Sequence, residues 1–396
     1  MATYKTISSA DIKTTRTTLN QLVDFVEEDV SGSATRKKYQ VFVTSSGTYS
    51  VTSSLFQTVF DQNYTLQTAN EIFDMTFGVF SGSDTVATSS TGIDTNGKLL
   101  FGPSFLMMRE KINVYRQFAQ TLLGDASGRF RAPFSSTDSS DDIDNALFLC
   151  FKRLFVRDGI KRETFAMRFF QSSSDVQTGD TNDNIFGLTS GKPASGSVIF
   201  TDVGAASSLE RSQFGGDVGN IVLASNTSQT VGLMFYQKGI AVLDLERALD
   251  ANQRMKGTLQ SVGATATTAI SASFIPNFVA SASIDQILDH VATARFGSGS
   301  NTFLTFQNNT QINSTLVFCR ATADEFNYSS NPSYTDSEGR ILVIDESEAG
   351  TQKSFSFVTT IGLYDSNEEL LATAKLSRPV EKNDEKDLTF RVRLDF

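Results

Sequence analysis

The sequence predicts an α+β protein with a helical N-terminal part, a mixed α/β middle and an antiparallel, β-sandwich-like C-terminal module. Three observations lead there. Apolar residues between Ile12 and Leu154 recur largely at helical spacing, a hairpin signal and further helical stripes share the middle, and Phe355–Phe396 alternates with period 2. A chain of 396 residues exceeds one ordinary domain, and polar stretches divide it into predicted domains 1–171, 172–298 and 299–396.

In the first domain Ser8 with Asp11 resembles a capping box. Ile12, Leu19, Leu22, Val23 and Val26 follow at helical spacing, so a helix is expected to run to Ser31–Gly32. Tyr39–Val43 reads as a short strand and Ser45–Ser54 as a Ser/Thr/Gly loop. Leu55–Phe80, rich in Phe, Thr and Val, reads as extended structure with turns, and Ser81–Gly97 as a loop. A helix from about Pro103 to Leu123 sets Ile112, Tyr115, Phe118, Ala119 and Leu122 on one face, with Gly124 at the C′ position. After the acidic cap Ser140–Asp141–Asp142, the stripe Ile143, Ala146, Leu147, Cys150, Phe151 and Leu154 traces another helix. Phe148, Leu149 and Phe155 widen it until most sides are apolar, and such a helix belongs in a large core or against a partner. It ends at Asp158–Gly159, and Lys161–Gln171 alternates as a strand.

Residues 172–196 form a long Ser/Gly/Asp/Asn loop. Val231–Tyr236 and Ile240–Leu245 flank Gln237–Lys238–Gly239, a hairpin signal. Leu245, Ala248, Leu249, Asn252 and Met255 then suggest a helix closed by Gly257, followed by a loop at Val262–Ala269. Ile284–Arg295 is a helix with Ile284, Ile287, Leu288 and Val291 inward, and Gly297–Ser300 ends the domain. In the last domain Thr302–Phe306 and Ser314–Arg320 read as two strands around an Asn/Gln turn. Phe355–Leu363 alternates, Asp365–Glu369 turns, Leu370–Leu376 returns, and Leu388–Phe396 alternates to the last residue.

Composition removes whole classes of chemistry. One His and two Cys cannot assemble a multi-His metal centre or a Cys₄ site, so no metal and no cofactor is expected. A net charge of -10 argues against a general nucleic-acid binder. The first residues lack a signal-peptide pattern, and the longest clean apolar run, Ala146–Phe151, is far below the ~20 residues of a membrane span. A soluble protein with reduced thiols and no membrane insertion is expected. His290 lacks a well-placed Asp on its helix and no G-x-S-x-G elbow exists, so it reads as an ordinary helix histidine. Cys150 and Cys319 sit in apolar patterns and read as small hydrophobes. Phe214–Asn220 lacks a P-loop ending and reads as a tight turn. Asp180–Asn184 resembles a calcium loop but has Ile185 and Gly191 where Gly and Glu are needed. Paired carboxylates for glycoside hydrolysis stay open, because their separation is a property of space. The basic run Lys152, Arg153, Arg157, Lys161, Arg162 and Arg168 stands out on an acidic chain. It suits either a solvated helix end or a docking stripe for an acidic surface of another subunit.

Five long strings carry a family resemblance: LFQTVFDQNYTLQTANEIFDMTFGVF, LMMREKINVYRQFAQTLLG, LFLCFKRLFVRDGIKRETFAMRFF, FCRATADEFNYSSNPSYTD and TTIGLYDSNEELLATAKLSRPVEKNDEKDLTFRVRLDF, together reaching from Leu55 to Phe396. They resemble virion structural proteins of contractile-tailed phages, especially marine cyanophages. The resemblance implies a non-enzymatic tail subunit, placed in the baseplate, with other virion proteins as partners and several copies per particle, assembled in the host cytoplasm. A receptor- or carbohydrate-binding module at the tail tip, or a neck/connector protein, are the alternatives it leaves.

Overall fold

Strand outweighs helix, 52% against 15%, so the helical N-terminal part and the mixed middle expected from the sequence are replaced by one large, mainly antiparallel sheet. The computed structural model describes residues 4–26, 35–45, 48–86, 92–93, 99–171, 173–174, 192–193, 197–207, 210–249, 252–259, 264–273, 279–294, 296, 302–329, 335–338 and 355–395. Outside them lie the expected helix end at Ser31–Gly32, most of the 172–196 loop, the calcium-like Asp180–Asn184 and the boundary Gly297–Ser300. Contacts divide the chain into two units, Asn20–Thr310 and a second made of Met1–Leu19 with Gln311–Phe396. The domain boundaries expected at 171/172 and 298/299 both fall in the range of the first.

The large sheet runs, in spatial order, from Thr302–Ala321 through Ala166–Phe170, Ser197–Thr201, Gly216–Leu223, Asn226–Phe235, Ile240–Asp244, Asn145–Phe151, Glu71–Val79 and Thr48–Phe60 to Thr35–Ser45, with Ile12–Val26 beyond Thr302–Ala321. From Thr302–Ala321 to Thr35–Ser45 the neighbours are antiparallel. The expected helix at Ile143–Phe155 is the strand Asn145–Phe151, followed by a single turn at Arg153–Val156. This strand lies between Ile240–Asp244 and Glu71–Val79. Leu147, Leu149 and Phe151 stand in register with Phe77, Met75 and Phe73. On the other side Phe148 stacks on Phe118 of the helix Leu106–Leu122, with ring centroids 4.0 Å apart. A strand buried on both faces needs apolar side chains at every position, and such a run imitates an all-apolar helix.

Leu106–Leu122 forms where the sequence places it, and Gly124 closes it with φ 86°. Tyr115 is buried on this helix; its hydroxyl donates to the Ile143 carbonyl at 2.7 Å and accepts from the Phe130 amide at 3.0 Å. The helix Ile284–Ala294 also forms, and Ile284, Ile287, Leu288 and Val291 are fully buried. Phe296 just beyond it meets Phe73, Phe169 and Phe303, so much of the Phe content of this unit packs into its core.

Three further expectations fail for local reasons. The N-terminal helix is one 3₁₀ turn, Ser9–Asp11, capped by Ser8, and then the strand Ile12–Val26. Thr14, Thr15, Thr17 and Thr18 are β-branched and favour the extended chain. The helix expected from Leu245 is a single turn, Leu245–Ala248, capped by Asp244; Asn252–Leu259 then pairs with Ala264–Ser273, where a loop was expected. Thr302–Ala321 is one strand of 20 residues rather than two around a turn. Its mid-strand polar residues make lateral bonds: the Asn308 side chain donates to the Phe155 carbonyl at 2.7 Å and accepts from the Gln21 amide at 3.2 Å. The Ser45–Ser54 loop likewise gives way to the strand Thr48–Phe60.

The second unit pairs Ser314–Ala321 with Leu388–Asp395 and adds a long hairpin, Phe355–Tyr364 with Leu370–Asn383. The two meet over a small core of Val317, Leu363 and Val392, flanked by Ile7, Cys319, Ile361 and Leu394. Lys382 is fully buried here, and its ammonium donates to the Ala323 carbonyl (3.2 Å), the Asn327 side-chain oxygen (2.7 Å) and the Asn383 carbonyl (2.6 Å). That clamp ties the turn after Ala321 to the hairpin. Lys382→Met strands these acceptors and is expected to destabilise the unit by about 3 kcal/mol. Hydrogen exchange should speed up at 322–328 and across the hairpin; unchanged protection would remove the clamp's importance.

Candidate functional site

The six basic residues do not form a uniform stripe. Lys152 places its ammonium 2.5 Å from Asp74 and 3.0 Å from Glu71. Arg162 lies 2.6 Å from Asp217 and 5.8 Å from the Tyr236 ring centroid. Arg168 donates to Ser197 Oγ at 2.9 Å, across the pair of strands that carries both. These three are half-buried and bonded within the unit. Arg153, with 84% of its side chain exposed, Arg157 and Lys161 reach solvent. Arg153 stands 3.4 Å from Asp158 and Lys161 donates to Gln307 at 3.0 Å; such exposed contacts hold little free energy. Arg157 ends the short turn in a left-handed conformation, φ 60°, which reverses the chain toward Gly159.

Just beyond, the hairpin turn Gln237–Gly239 packs against this reversal. A Cβ on Gly239 would meet Val156, and one on Gly159 would sit 3.1 Å from the Tyr236 carbonyl, so both glycines permit close backbone approach. On the outer side of the turn lies an open recess of about 470 Å³, lined by Arg211, Ser212, Gln213, Phe214, Gly216, Gln237 and Lys238. The Phe214 ring rests on the bare Cα of Gly124 at the end of the helix Leu106–Leu122: a Cβ there would come 2.3 Å from the ring. Phe214 nonetheless remains 53% exposed. Behind the recess Asp217 is held by Arg162 on one oxygen, while Arg211 lies 3.6 Å from the other. The Phe214–Asn220 segment is thus a turn leading into the strand Gly216–Leu223, with Gly216 at φ 79°.

The remaining candidates are held in structural contacts. Burial, with the Asp74 charge adding, pushes the Cys150 thiol up to about 12, so the thiolate is suppressed at neutral pH. Burial also raises the Cys319 thiol, with Asp11 adding to it. His290 lies on the helix Ile284–Ala294; its side chain falls outside the described residues. Asp142 and Asp144 come together, but Arg129 sits 2.6 Å from the first and 2.5 Å from the second, and Arg131 is 2.5 Å from Asp142. Asp244 accepts from the Glu246 amide at 3.0 Å and faces Arg247, whose guanidinium also donates to the Ala132 and Ser140 carbonyls. Among the described residues no group of three His, Cys, Asp or Glu side chains is placed to hold a metal ion, and no helix is long and apolar enough to cross a membrane.

Sequence reasoning missed the recess because its lining comes from two turns more than twenty residues apart. The hairpin at Gln237–Lys238–Gly239 was legible; its meeting with Arg211–Gly216 depends on the order of strands in the sheet. No family model matches this chain, and no curated protein or solved structure matches it.

Proposed function

We propose that the chain is a structural subunit of a phage virion, in the tail or baseplate, acting through protein–protein contacts. The observation that carries this reading is the C-terminal hairpin. Among the described residues, Phe355–Tyr364 and Leu370–Asn383 pair with each other as a two-stranded sheet. Phe357, Tyr364, Leu370 and Leu371 are exposed around it, Leu371 at 69%. Phe355–Tyr364 holds no charged residue. The pairing shifts register at Val358/Thr360 and Leu363/Tyr364, and the return strand carries Lys375, Arg378 and Pro379, features that blunt strand addition, so what the hairpin offers a partner is its exposed apolar side chains. The resemblance of the TTIGLYDSNEELLATAKL string to phage tail proteins points the same way. The basic residues Arg153, Arg157 and Lys161 offer a second, charged contact. The buried strand Asn145–Phe151, by contrast, is no part of such a surface, since its apolar character serves the core.

Cross-linking of intact particles of a phage encoding this chain, followed by mass spectrometry, tests the reading. Links from Lys375 or Lys386 to other virion proteins are expected. In parallel, Leu370→Asp with Leu371→Asp should stop incorporation into particles while leaving the melting of the isolated chain within about 1 kcal/mol, as for exposed positions. Absence of the protein from purified particles, or normal incorporation of the double variant, would reject the proposal.

A further inference from the structure

We propose that the recess between the Arg211–Gly216 turn and the Gln237–Lys238 turn binds an acidic saccharide, a uronate or a sulfated sugar. The lining carries two cations, Arg211 and Lys238, and no carboxylate. Asp217 behind it is shared between Arg162 at 2.6 Å and Arg211 at 3.6 Å, so one carboxylate faces two guanidiniums and the recess keeps a positive balance. On a chain of net charge -10 this is a local inversion of sign, and a concave patch of one sign concentrates oppositely charged ligands.

Charge alone would suit any anion. Three further features select a sugar. The Phe214 ring is a fixed platform, seated on Gly124 on one side and half-open on the other, and an aromatic ring offers an apolar face to the C–H side of a pyranose. Gln213 supplies a planar amide with donors and an acceptor side by side, the pattern that neighbouring hydroxyls require, and Gln237 adds a second amide whose nitrogen already donates to Asp217 at 3.5 Å. A volume of about 470 Å³ accommodates one or two sugar rings, within the ordinary range for small-ligand sites. The Arg211 guanidinium would read the carboxylate or sulfate in a fork, and Lys238 would add a point charge. An acidic peptide would satisfy the two cations but would leave the ring face and the Gln213 amide without a role. This inference does not rest on the virion reading, and the two can fail separately.

The test is saturation-transfer NMR on the full chain with sodium glucuronate and glucose 6-sulfate, against glucose, sodium acetate and hexaglutamate at matched ionic strength. At least one of the two acidic sugars should bind ten-fold or more tightly than glucose and acetate, with ring C–H protons receiving most saturation. Phe214→Ala should weaken that binding five-fold or more. Because Phe214 also packs on Gly124, the double variant Arg211→Ala with Lys238→Ala, on exposed side chains, provides the second arm and should erase the preference over glucose. If neither acidic sugar exceeds glucose, if both variants bind as the parent does, or if hexaglutamate binds in place of the sugars, the proposal is overturned.

Discussion

Replacing Gly78 with valine is expected to destabilise the Asn20–Thr310 unit by about 3 kcal/mol or more, at the upper end of overpacking effects. Gly78, on the strand Glu71–Val79, stands in register with Ala146 of the buried strand Asn145–Phe151. The helix Leu106–Leu122 presses on it directly: a Cβ at Gly78 would come 2.8 Å from the Tyr115 amide nitrogen and 3.0 Å from its Cα. The obstacle is backbone, so no rotamer change relieves it. The helix would have to lift, opening the Phe118–Phe148 stack and the two hydrogen bonds of the Tyr115 hydroxyl. The chain has no Trp, so urea unfolding followed by far-UV circular dichroism is the suitable measurement. A midpoint within error of the parent would show that the helix does not sit on Gly78.

Lys111→Met should raise stability at neutral pH and remove a pH dependence. Lys111 is fully buried on the same helix, and its ammonium donates to the Val279 carbonyl at 2.6 Å. Burial lowers its pKa from 10.5 to about 7, against a smaller pull upward from Glu110. Between these values the unfolded chain holds a proton that the folded chain has released, so stability rises with pH across the window. Below about 7 the whole penalty remains, on the order of 5 kcal/mol before relaxation. Other groups bound the usable range. Asp244, raised by burial to about 7, acts only between 3.8 and 7, where stability falls as pH rises. Cys150, raised from 9.0 to about 12, opposes Lys111 above 9. The clean interval is therefore pH 7 to 9. There the parent should gain stability with pH and Lys111→Met should stay flat. The variant should exceed the parent at pH 7 by about 2 kcal/mol, because it leaves the Val279 carbonyl without its donor. Parallel curves for the two proteins would refute the assignment.

The parts of this fold that the sequence reveals are the regularly periodic ones and those marked by turn residues, as at Gln237–Gly239, where the flanking strands are buried on both faces. Leu106–Leu122, Ile284–Ala294, Ala166–Phe170, the hairpin at Gln237–Gly239 and the alternating strands after Phe355 all occur where their periodicity puts them. The errors are physical rather than random. Asn145–Phe151 is buried on both faces and loses its alternation. Ile12–Val26 lies at the end of the sheet order, and Ile12, Leu19 and Leu22 stay exposed, so their helical spacing reports no burial at all. Asn308 and Asn309 imitate a turn because their polar groups bond sideways to neighbouring segments. Of the candidate surfaces, the charge of the basic run was legible. Its division into bonded and solvent-facing members depends on Asp74, Asp217 and Ser197, which the sequence places far away.

The place of Ile12–Val26 in the sheet also constrains how the protein is made. Its neighbour, Thr302–Ala321, lies more than 270 residues further along the chain. During translation Ile12–Val26 leaves the ribosome without this mate and must wait until that intervening stretch has followed. The central strands can close among themselves in the meantime, since Gly216–Leu223, Asn226–Phe235 and Ile240–Asp244 are joined by short turns. The nascent chain should therefore mature from its middle outward, with a slow final step governed by long-range closure. Until that step the unpaired N-terminal segment is the stretch most exposed to mispairing between neighbouring chains on one polysome.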